Sequence, residues 1–598
     1  MTASMAQGSR PDPVETLPAG TAPVETPLMR GTPDQGWGSD RIAALLAQFD
    51  LPYICLNPGS SFRGLHDSLV NYLGNTAPKM MVCLHEEHAV AIAHGYAKAC
   101  GKPLAVALHA NVGLMHATMA IFNAWCDRLP MLVLGATGPV DAAKRRPFID
   151  WIHTMRDQGA MVRSYVKWDD QPASVEAAEE ALLRAMQLSL TAPAGPVFIN
   201  LDAEVQEAAC APRSEPCDIG RYRPIPAPAP DGAILDHALE MIAAAKRPAI
   251  LMGRVTRDPA AWAARIALAE RLGAMVVTDL KVGAAFPTAH PLHLGPPGMN
   301  LTKPVIARLA EADLVLSLDW VDLAGFASVV WPGKPCPAKV IQVSVDHHVH
   351  NGFSYDHLAL PAVDLHIATT PEAFTPALVA RLPAPEQAYV AAKRRPAKPE
   401  PKPELTLADI AHALDQATDG APVSLTRVPL GWDGALMDFE HPLDQLGHSG
   451  GGGVGSGPGM AVGSALALRG SDHLPVGILG DGDTLMGVTA IWTAVHYDIP
   501  LLIIVANNRS YFNDEQHQER VARRRDRPVE NKWIGQRIAD PEPDIAAMAR
   551  AQGAHAIGPV RDRDALHAAL KEAVAAVRAG KVALVDVHIE AGYAGGGG

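Results

Sequence analysis

The stretch Val476-Gly-Ile-Leu-Gly-Asp-Gly-Asp483 decides the fold together with Asn507-Asn508, which begins 24 residues after Asp483. An apolar run ends at the first motif, and a second apolar run, 501–506, ends at the asparagines. The segment between them, 486–496, has apolar residues at helical spacing. Two short apolar runs around a helix predict a βαβ unit and therefore a parallel sheet.

Oxygen-bearing side chains follow both predicted strands. Because ligands of parallel sheets bind beyond the carboxyl ends of the strands, Asp481 and Asn508 are expected to lie together. Mg²⁺ prefers oxygen ligands and is usually held by one or two protein groups plus phosphate oxygens, and a backbone carbonyl near Ser510 is a third candidate. Gly480 and Gly482 would let the backbone approach a phosphate closely. The alternative is a plain turn, with asparagines that only cap the next segment.

This spacing resembles the signature of enzymes that bind thiamine diphosphate (ThDP, also called thiamine pyrophosphate), whose aspartate and second asparagine bind Mg²⁺ or Ca²⁺. Such an enzyme needs a catalytic glutamate far upstream. The segment Leu84-His-Glu-Glu-His-Ala-Val-Ala-Ile-Ala-His-Gly-Tyr-Ala97 resembles the pyrimidine-binding domain of the acetolactate synthase and benzoylformate decarboxylase group. The resemblance implies that Glu86 is the catalytic carboxylate, bonded to N1′ of the aminopyrimidine. Glu87 is the alternative in register, and a further alternative is that both only complement a helix N-terminus.

The same resemblance implies further cofactor contacts. Gly451-Gly-Gly-Val-Gly455 resembles the loop that bends ThDP, so that Val454 would wedge beneath the two rings and the Gly452 carbonyl would receive the 4′-amino hydrogen. Bending brings the 4′-nitrogen next to the reactive carbon, which is geometric pre-organisation. Asp483 and Thr484 would bind diphosphate oxygens through a backbone amide and a hydroxyl. For the loop at 451–455, the alternative is a simple flexible glycine loop.

Two segments resemble the substrate side of benzoylformate decarboxylase. Asn57-Pro-Gly-Ser60 implies that Ser60 contacts the substrate carboxylate, and Leu108-His-Ala-Asn-Val-Gly113 implies that His109 transfers protons. The alternatives are a simple turn and a hydrogen-bonded core histidine. One departure is clear, because the decarboxylase has a second active-site histidine in its middle domain and 319–325 contains none here. The arginine-rich stretch 509–537 either binds an anionic substrate group or forms a solvated helix face or subunit contact.

Proline-rich segments divide the chain. Residues 1–35 predict a disordered tail without a signal peptide, and segments near 210–230 and at 383–404 predict extended linkers. The expected fold class is α/β, with three doubly wound parallel-sheet domains. These are a pyrimidine-binding (Pyr) domain at 36–210, a middle domain at 230–382 and a diphosphate-binding (PP) domain at 405–598.

Composition excludes several classes of function. The chain has 598 residues, of which 48% are hydrophobic and 19% charged, which suits several buried cores. A net charge of −13 argues against general nucleic-acid binding, and no apolar stretch reaches membrane-spanning length. Seven cysteines without a paired motif predict reduced thiols and a cytoplasmic location.

The resemblance implies a ThDP- and Mg²⁺-dependent (or Ca²⁺-dependent) lyase that cleaves a C–C bond next to a carbonyl. Its most direct form is non-oxidative decarboxylation of a small-molecule 2-oxo acid or related ketone, with carboligation possible. Acetolactate synthase-like acyl transfer and 2-hydroxyacyl-CoA lyase activity are the alternatives, and FAD is not expected. Because the family divides one ThDP between subunits, a homodimer or homotetramer is implied. A non-catalytic ThDP-binding partner protein is the alternative of another class, and Glu86 argues against it.

Overall fold

Three parallel sheets organise the part of the chain that the computed structural model describes, residues 25–28, 36–212, 217–348, 360–392 and 394–591. Most strand residues are buried, as expected when helices cover both faces of a parallel sheet. The expected α/β class with three parallel-sheet domains is confirmed. Of the predicted tail, only 25–28 is described, and the glycines at 595–598 also lie outside the described residues.

The first sheet has six strands, and its second strand leads into the helix that begins at Glu86. In chain order its strands are β1 (Tyr53–Leu56), β2 (Lys79–Val82), β3 (Ala105–Leu108), β4 (Met131–Thr137), β5 (Asp169–Asp170) and β6 (Pro196–Asp202). Its helices are α1 (Gly38–Leu46), α2 (Arg63–Asp67), α3 (Glu86–Cys100), α4 (Ala110–Cys126), α5 (Ile149–His153), α6 (Val175–Leu190) and α7 (Ala203–Glu207). The strand order is β2-β1-β3-β4-β6-β5, so β1, β2 and β3 end side by side.

The second sheet has five strands. They are β7 (Pro248–Met252), β8 (Met275–Val277), β9 (Leu314–Leu318), β10 (Lys339–Val343) and β11 (Leu365–Ile367), in the order β11-β10-β9-β7-β8. The helices are α8 (Gly232–Ala244), α9 (Pro259–Leu272), α10 (Lys303–Leu309), α11 (Leu323–Val330) and α12 (Pro371–Val379). All the pairings are parallel, which matches the alternation of apolar strands and helices in the sequence.

The third sheet contains the motif that decides the fold. Its strands are β12 (Val423–Arg427), β13 (Leu474–Gly480), β14 (Leu501–Asn507), β15 (His555–Val560) and β16 (Val582–His588), in the order β12-β13-β14-β16-β15. Its helices are α13 (Leu407–Thr418), α14 (Gly457–Ala467), α15 (Asp481–Gly487), α16 (Ala490–His496), α17 (Phe512–Arg524), α18 (Ile545–Arg550) and α19 (Arg563–Arg578). β13 and β14 pair in parallel as predicted, although two short helices replace the single helical segment expected at 486–496.

Helices α3 and α14 pack so closely that glycine is required where they cross. A Cβ atom on Gly95 would lie 2.0 Å from the carbonyl oxygen of Met460, and one on Gly463 would lie 1.8 Å from that of Ile92. The hydroxyl of Ser464 donates to the carbonyl of Gly95 at 3.0 Å. This crossing joins the first domain to the third. No helix among the described residues is long and apolar enough to span a membrane.

Gly463→Ala is expected to lower the thermal unfolding midpoint by a few degrees. The new methyl group must push α3 away from α14, and overpacking of this kind typically costs ~1–3 kcal/mol. Gly232→Ala, at the first residue of α8 with no atom within 4 Å of the added Cβ, is the matched control and should leave the midpoint unchanged or slightly higher. Equal melting of both variants, measured by differential scanning calorimetry, would contradict the close crossing.

Arg257 joins all three domains. It lies just before α9, and its guanidinium donates to backbone carbonyls instead of a carboxylate. Burial lowers the pKa of Arg257 to about 10. The accepting carbonyls belong to Lys98, Val282, Pro442, Gln445 and Leu446. The segment that leads into the glycine loop at 451–455 is therefore fixed from the other two domains.

Candidate active site

The predicted metal ligands converge at the carboxyl ends of β13 and β14. Asp481 begins α15, and its Oδ2 accepts a hydrogen bond from the backbone N–H of Ser510 at 3.1 Å. Asn508 Oδ1 accepts from the same N–H at 3.1 Å, and Asp481 Oδ1 accepts from the N–H of Gly482 at 3.0 Å. Two side-chain oxygens from different strands are thus brought to one backbone position, which is the oxygen-rich arrangement a hard cation needs.

This edge of the sheet fits a cation and a diphosphate. Burial raises the pKa of Asp481 to about 6, because no cationic side chain compensates the carboxylate. A Cβ atom on Gly480 would meet no atom within 4 Å, so open space lies beside the aspartate. Across Gly482 a Cβ atom would lie 2.5 Å from the ring of Tyr511, so the ring packs directly on the turn. A bound cation would relieve the burial cost of Asp481.

Asp483 and Thr484 are placed differently from the predicted metal ligands. The Asp483 carboxylate turns to the glycine loop, where Oδ1 accepts from the N–H groups of Gly455 at 2.6 Å and Gly457 at 3.2 Å. Arg427 lies 3.5 Å from its other oxygen. Thr484 is fully buried, and its hydroxyl donates to the Gly480 carbonyl at 2.8 Å. Both side chains therefore stabilise the loops around the predicted diphosphate site, and the Thr484 hydroxyl, which we expected to bind a diphosphate oxygen, instead donates to the Gly480 carbonyl.

The glycine loop needs its glycines for backbone conformation. Gly452 and Gly455 have φ angles of 70° and 107°, which L-residues with side chains rarely adopt. Gly452 faces open space, with no atom within 4 Å of an added Cβ. Val454 is 42% exposed, so its side chain is available to a ligand as the predicted wedge requires.

Asn123, in α4, fastens this loop at both ends. Its Oδ1 accepts from the N–H of Gly451 at 3.0 Å, and its Nδ2 donates to the hydroxyl of Ser456 at 3.2 Å. The Ser456 hydroxyl donates in turn to Glu87 at 3.0 Å. The Asn123 side chain is completely buried, so its amide is fully committed to the loop.

We expect Asn123→Ala to weaken ThDP binding about 5- to 150-fold, because two hydrogen bonds that fix the loop are lost at ~0.5–1.5 kcal/mol each. Isothermal titration in the presence of Mg²⁺ measures the change. Asn531→Ala, at an exposed position, is the control and should bind as the unmodified chain does. Equal affinities for all three proteins would show that Asn123 does not hold the loop.

Glu86 and Glu87 begin α3 and point to different partners. Glu86 is 7% exposed, and its Oε2 lies 3.0 Å from Nδ1 of the exposed His116. Glu87 instead reaches Ser456 of the third domain, and burial raises the pKa of its carboxyl. His85 precedes them and accepts from the Glu87 N–H at 3.1 Å. Among the described residues no hydrogen bond joins Glu86 to the third domain, so the predicted catalytic carboxylate is separate from the loop network.

Gly113 places Glu86 and His109 in one site. A Cβ atom on Gly113 would lie 3.2 Å from Glu86 Oε1 and 3.5 Å from the Cβ of His109. His109 Nδ1 is 2.9 Å from the hydroxyl of Ser61, which also accepts from the N–H of Ala110 at 3.1 Å. Burial lowers the pKa of His109, and the neighbouring His153 lowers it further. The two residues predicted for proton transfer are therefore neighbours.

Ser60 lies next to this site and does not touch His109. It is exposed and faces a groove of about 640 Å³, whereas the adjacent Ser61 is 5% exposed and bonds the imidazole. A Cβ atom on Gly59 would lie 2.3 Å from that of His109, so the turn presses against the histidine. The groove is lined by Pro58, Gly59, Ser60, Arg63, His66, Asp67, Val70 and Asn71.

The middle-domain stretch without histidine is used for ion pairing. Asp319 lies 3.1 Å from Arg254, which also pairs with Asp346 at 3.0 Å. Asp346 in turn binds Arg128 of the first domain. Asp322 caps α11 by accepting from the Gly325 N–H at 2.8 Å. This stretch is therefore linked to the first domain through Arg254 and Asp346.

The arginine-rich stretch after Asn508 is largely a charged helix surface. In α17, Glu519 pairs with Arg523 at 2.6 Å and also with Lys532. Arg537 stacks on Trp533, with 5.2 Å from the guanidinium carbon to the ring centroid. Glu515 is buried and accepts from the hydroxyl of Ser510, which ties α17 to the metal-site loop.

Family comparisons identify the chain. The family description "Thiamine pyrophosphate enzyme, N-terminal TPP binding domain" matches 36–161, "central domain" matches 235–361 and "C-terminal TPP binding domain" matches 431–587. The chain therefore belongs to the thiamine pyrophosphate enzymes. Within them it is an enzyme of the decarboxylase and acetolactate synthase family.

Individual relatives carry different activities. Benzoylformate decarboxylase of Pseudomonas aeruginosa is 25% identical over 510 residues, which cover 83% of this chain and 89% of the relative. Acetolactate synthase isozyme 1 large subunit of Escherichia coli K12 is 27% identical over 485 residues, covering 79% and 82%. The solved benzoylformate decarboxylase of Polynucleobacter necessarius has a TM-score of 0.75 at 21% identity, over 94% of this chain and all of that one. The reaction must therefore be argued from the site.

Proposed function

We propose that the chain is a ThDP- and Mg²⁺-dependent lyase that decarboxylates a 2-oxo acid without oxidation. The observation that carries the proposal is the placement of His109 beside Glu86, with Gly113 between them and Ser61 bonded to the imidazole. A protein that only transfers an acyl group to a second carbonyl has less need of a histidine that delivers a proton at this position.

The cofactor would be held by residues already described. Asp481, Asn508 and the Ser510 carbonyl would hold the cation, with Gly480, Gly482 and the backbone of Asp483 and Thr484 near the diphosphate. Gly452 and Val454 would support the rings. When bound, ThDP supplies an electron sink for the electron pair that CO₂ leaves behind. Glu86 would share a proton with the aminopyrimidine, and its 7% exposure keeps water from competing for that bond.

His109 would hold and deliver the proton that replaces CO₂. The Ser61 hydroxyl accepts from Ala110, so it can either donate to or accept from His109 Nδ1. The ring thus keeps one orientation in both protonation states, and Nε2 is left to exchange protons with the substrate. Ser60 would meet the substrate carboxylate at the mouth of the neighbouring groove.

Self-association would complete the site. Four large apolar side chains near the two half-sites are exposed, and clustered exposed apolar side chains mark interaction surfaces. The four are Leu84, Met115, Val454 and Met486. We propose that a homodimer or homotetramer brings Glu86 of one chain to the diphosphate site of another.

Mixing two inactive variants tests this arrangement. After subunit exchange, equal amounts of Glu86→Gln and Asp481→Asn should regain roughly a quarter of the unmodified activity, because half of the sites in each mixed dimer carry neither change. Native mass spectrometry confirms the exchange when one variant is uniformly labelled with ¹⁵N, because the two substitutions change the chain mass equally. A mixture that exchanges and stays inactive would place both residues in sites formed within one chain.

A substrate panel tests the reaction. Purified protein with ThDP and Mg²⁺ is incubated with benzoylformate, pyruvate, oxalyl-CoA and 2-hydroxyacyl-CoA esters, and CO₂ release and product mass are measured. The proposal expects CO₂ and the corresponding aldehyde from a 2-oxo acid. Acetolactate from pyruvate would instead identify a transferase, and cleavage of hydroxyacyl-CoA alone would identify the lyase alternative.

A further inference from the structure

Two histidine rings meet on the substrate side of the Pyr domain. The ring centroids of His109 and His153 are 4.6 Å apart, and the ring planes are inclined by 76°. His109 follows β3, and His153 is the last residue of α5, which reaches the site from β4. Both rings are partly buried, so both can reach solvent and a ligand.

A strained turn delivers His153 to this position. Phe148 has φ 65° and ψ −65°, and the N–H of Ile149 donates to the Pro147 carbonyl at 2.8 Å. This is a γ-turn of the rare, strained kind, and a bulky residue in such a conformation costs ~1–3 kcal/mol. Strain of this size persists only where neighbouring contacts impose it, and such residues cluster at functional sites.

Contacts at both ends of α5 impose that conformation. Asp150 is 1% exposed and accepts from the backbone N–H of Arg146 at 2.6 Å and from its guanidinium at 3.0 Å. The N–H of Gly138 donates to the His153 carbonyl at 3.3 Å. A Cβ atom on Gly138, the residue after β4, would lie 2.5 Å from the Thr154 hydroxyl, so the chain segments at the ends of β4 and α5 approach closely here.

We propose that His153 is a positioning residue for proton transfer by His109, because two imidazole rings in edge contact oppose a second positive charge. The pair would then carry one charge at most through the neutral range, and His109 would stay able to accept and return a proton. The catalytic meaning of this coupling rests on the proposed function, whereas the coupling itself does not.

The charges around the pair agree with this coupling. Burial lowers the pKa of His109 first, the like charge on His153 lowers it further, and Glu86 on α3 opposes both. On α5 itself, Asp150 is paired with Arg146 and contributes no net charge. Burial and the adjoining His153 ring therefore both oppose a positive charge on His109.

Chemical labelling of the cofactor-free protein tests the coupling. Diethylpyrocarbonate modifies only uncharged imidazole, and peptide mass spectrometry gives the rate at His109 as a function of pH. In both His153→Gln and His153→Phe the midpoint for His109 should rise by roughly half a pH unit or more, about a threefold change in its proton affinity. His237→Gln, an exposed histidine of α8, is the matched control and should leave that midpoint unchanged.

Two readouts decide the inference. Both variants remove the charge of His153, and Phe retains the ring packing. A His109 midpoint that stays unchanged or falls in both variants would overturn the inference. With any substrate that turns over, the acid limb of kcat/KM should move by the same amount as the labelling midpoint. A labelling shift without a shift in the acid limb of kcat/KM would also overturn the proposed role. Absence of turnover on every substrate counts against the proposed function, and the labelling result then decides whether the two rings are coupled.

Discussion

Glu86→Gln is expected to lower kcat by about 10²- to 10⁴-fold while ThDP and Mg²⁺ still bind. Glutamine has nearly the same shape, but it cannot share the acidic proton that the carboxyl would share with the aminopyrimidine. Glu86 is a sensitive position because it is only 7% exposed, and a side chain at Gly113 would lie 3.2 Å from its Oε1. Steady-state product formation and calorimetric ThDP binding, measured on the same preparation, separate loss of chemistry from loss of binding.

Glu87→Gln is the comparison that decides the register. Glu87 bonds Ser456 of the glycine loop, and an amide oxygen can still accept from that hydroxyl. We therefore expect a loss of kcat within about tenfold, with the main effect on ThDP affinity. If Glu87→Gln abolished turnover and Glu86→Gln did not, the catalytic assignment would move by one residue and the proposed role of Glu86 would be wrong.

Asp481→Asn is expected to abolish Mg²⁺-dependent ThDP binding, weakening it more than about 100-fold, because a charged ligand is lost from a cation that depends on carboxylate oxygen. The same substitution should stabilise the cofactor-free protein at neutral pH. Burial raises the pKa of Asp481 to about 6, above its unfolded value, so the charge on this carboxyl destabilises the folded state increasingly as pH rises from about 4 to 6. Removing the charge should raise the free energy of unfolding by about 1–2 kcal/mol. This net gain allows for the one backbone hydrogen bond that the substitution loses.

Asp586→Asn is a matched control for this pair of effects. Burial also raises the pKa of Asp586 to about 6, but its carboxylate accepts from Asn507 Nδ2 at 3.0 Å. Asp586 is not one of the predicted metal ligands. The control should stabilise the cofactor-free protein and retain Mg²⁺-dependent binding. Thermal unfolding with and without Mg²⁺ and ThDP measures both properties. Stabilisation by Mg²⁺ and ThDP that persists in Asp481→Asn would rule out this residue as a metal ligand.

Local patterns were sufficient to predict the edge of the sheet where Asp481 and Asn508 meet. Two buried strands with a helix between them impose parallel pairing, and parallel strands end at one edge, so Asp481 and Asn508 had to meet. The interruption between α15 and α16 was not predictable, because apolar spacing continues across 488–489 while the backbone departs from a single helix. Periodicity reports which residues are buried and does not report where helical hydrogen bonds stop.

Residues that act through tertiary contact were missed. Ser61 is adjacent to Ser60, and only the turn against His109 shows which hydroxyl faces the imidazole. His116 lies on α4 without a motif of its own, and its partner Glu86 comes from a distant part of the chain. The position of His153 depends on a γ-turn at Phe148. The sequence does not predict this turn, because bulky residues rarely adopt a positive φ angle.

Release of ¹³CO₂ from benzoylformate labelled at the carboxyl carbon tests the central claim most directly. With ThDP and Mg²⁺, the account predicts stoichiometric ¹³CO₂ and the corresponding aldehyde from benzoylformate or another carboxyl-labelled 2-oxo acid with the unmodified chain, and background release from Glu86→Gln. If neither benzoylformate nor any other 2-oxo acid yields CO₂ while the protein binds ThDP and cleaves a 2-hydroxyacyl-CoA, the decarboxylase function proposed from His109 and Glu86 is contradicted.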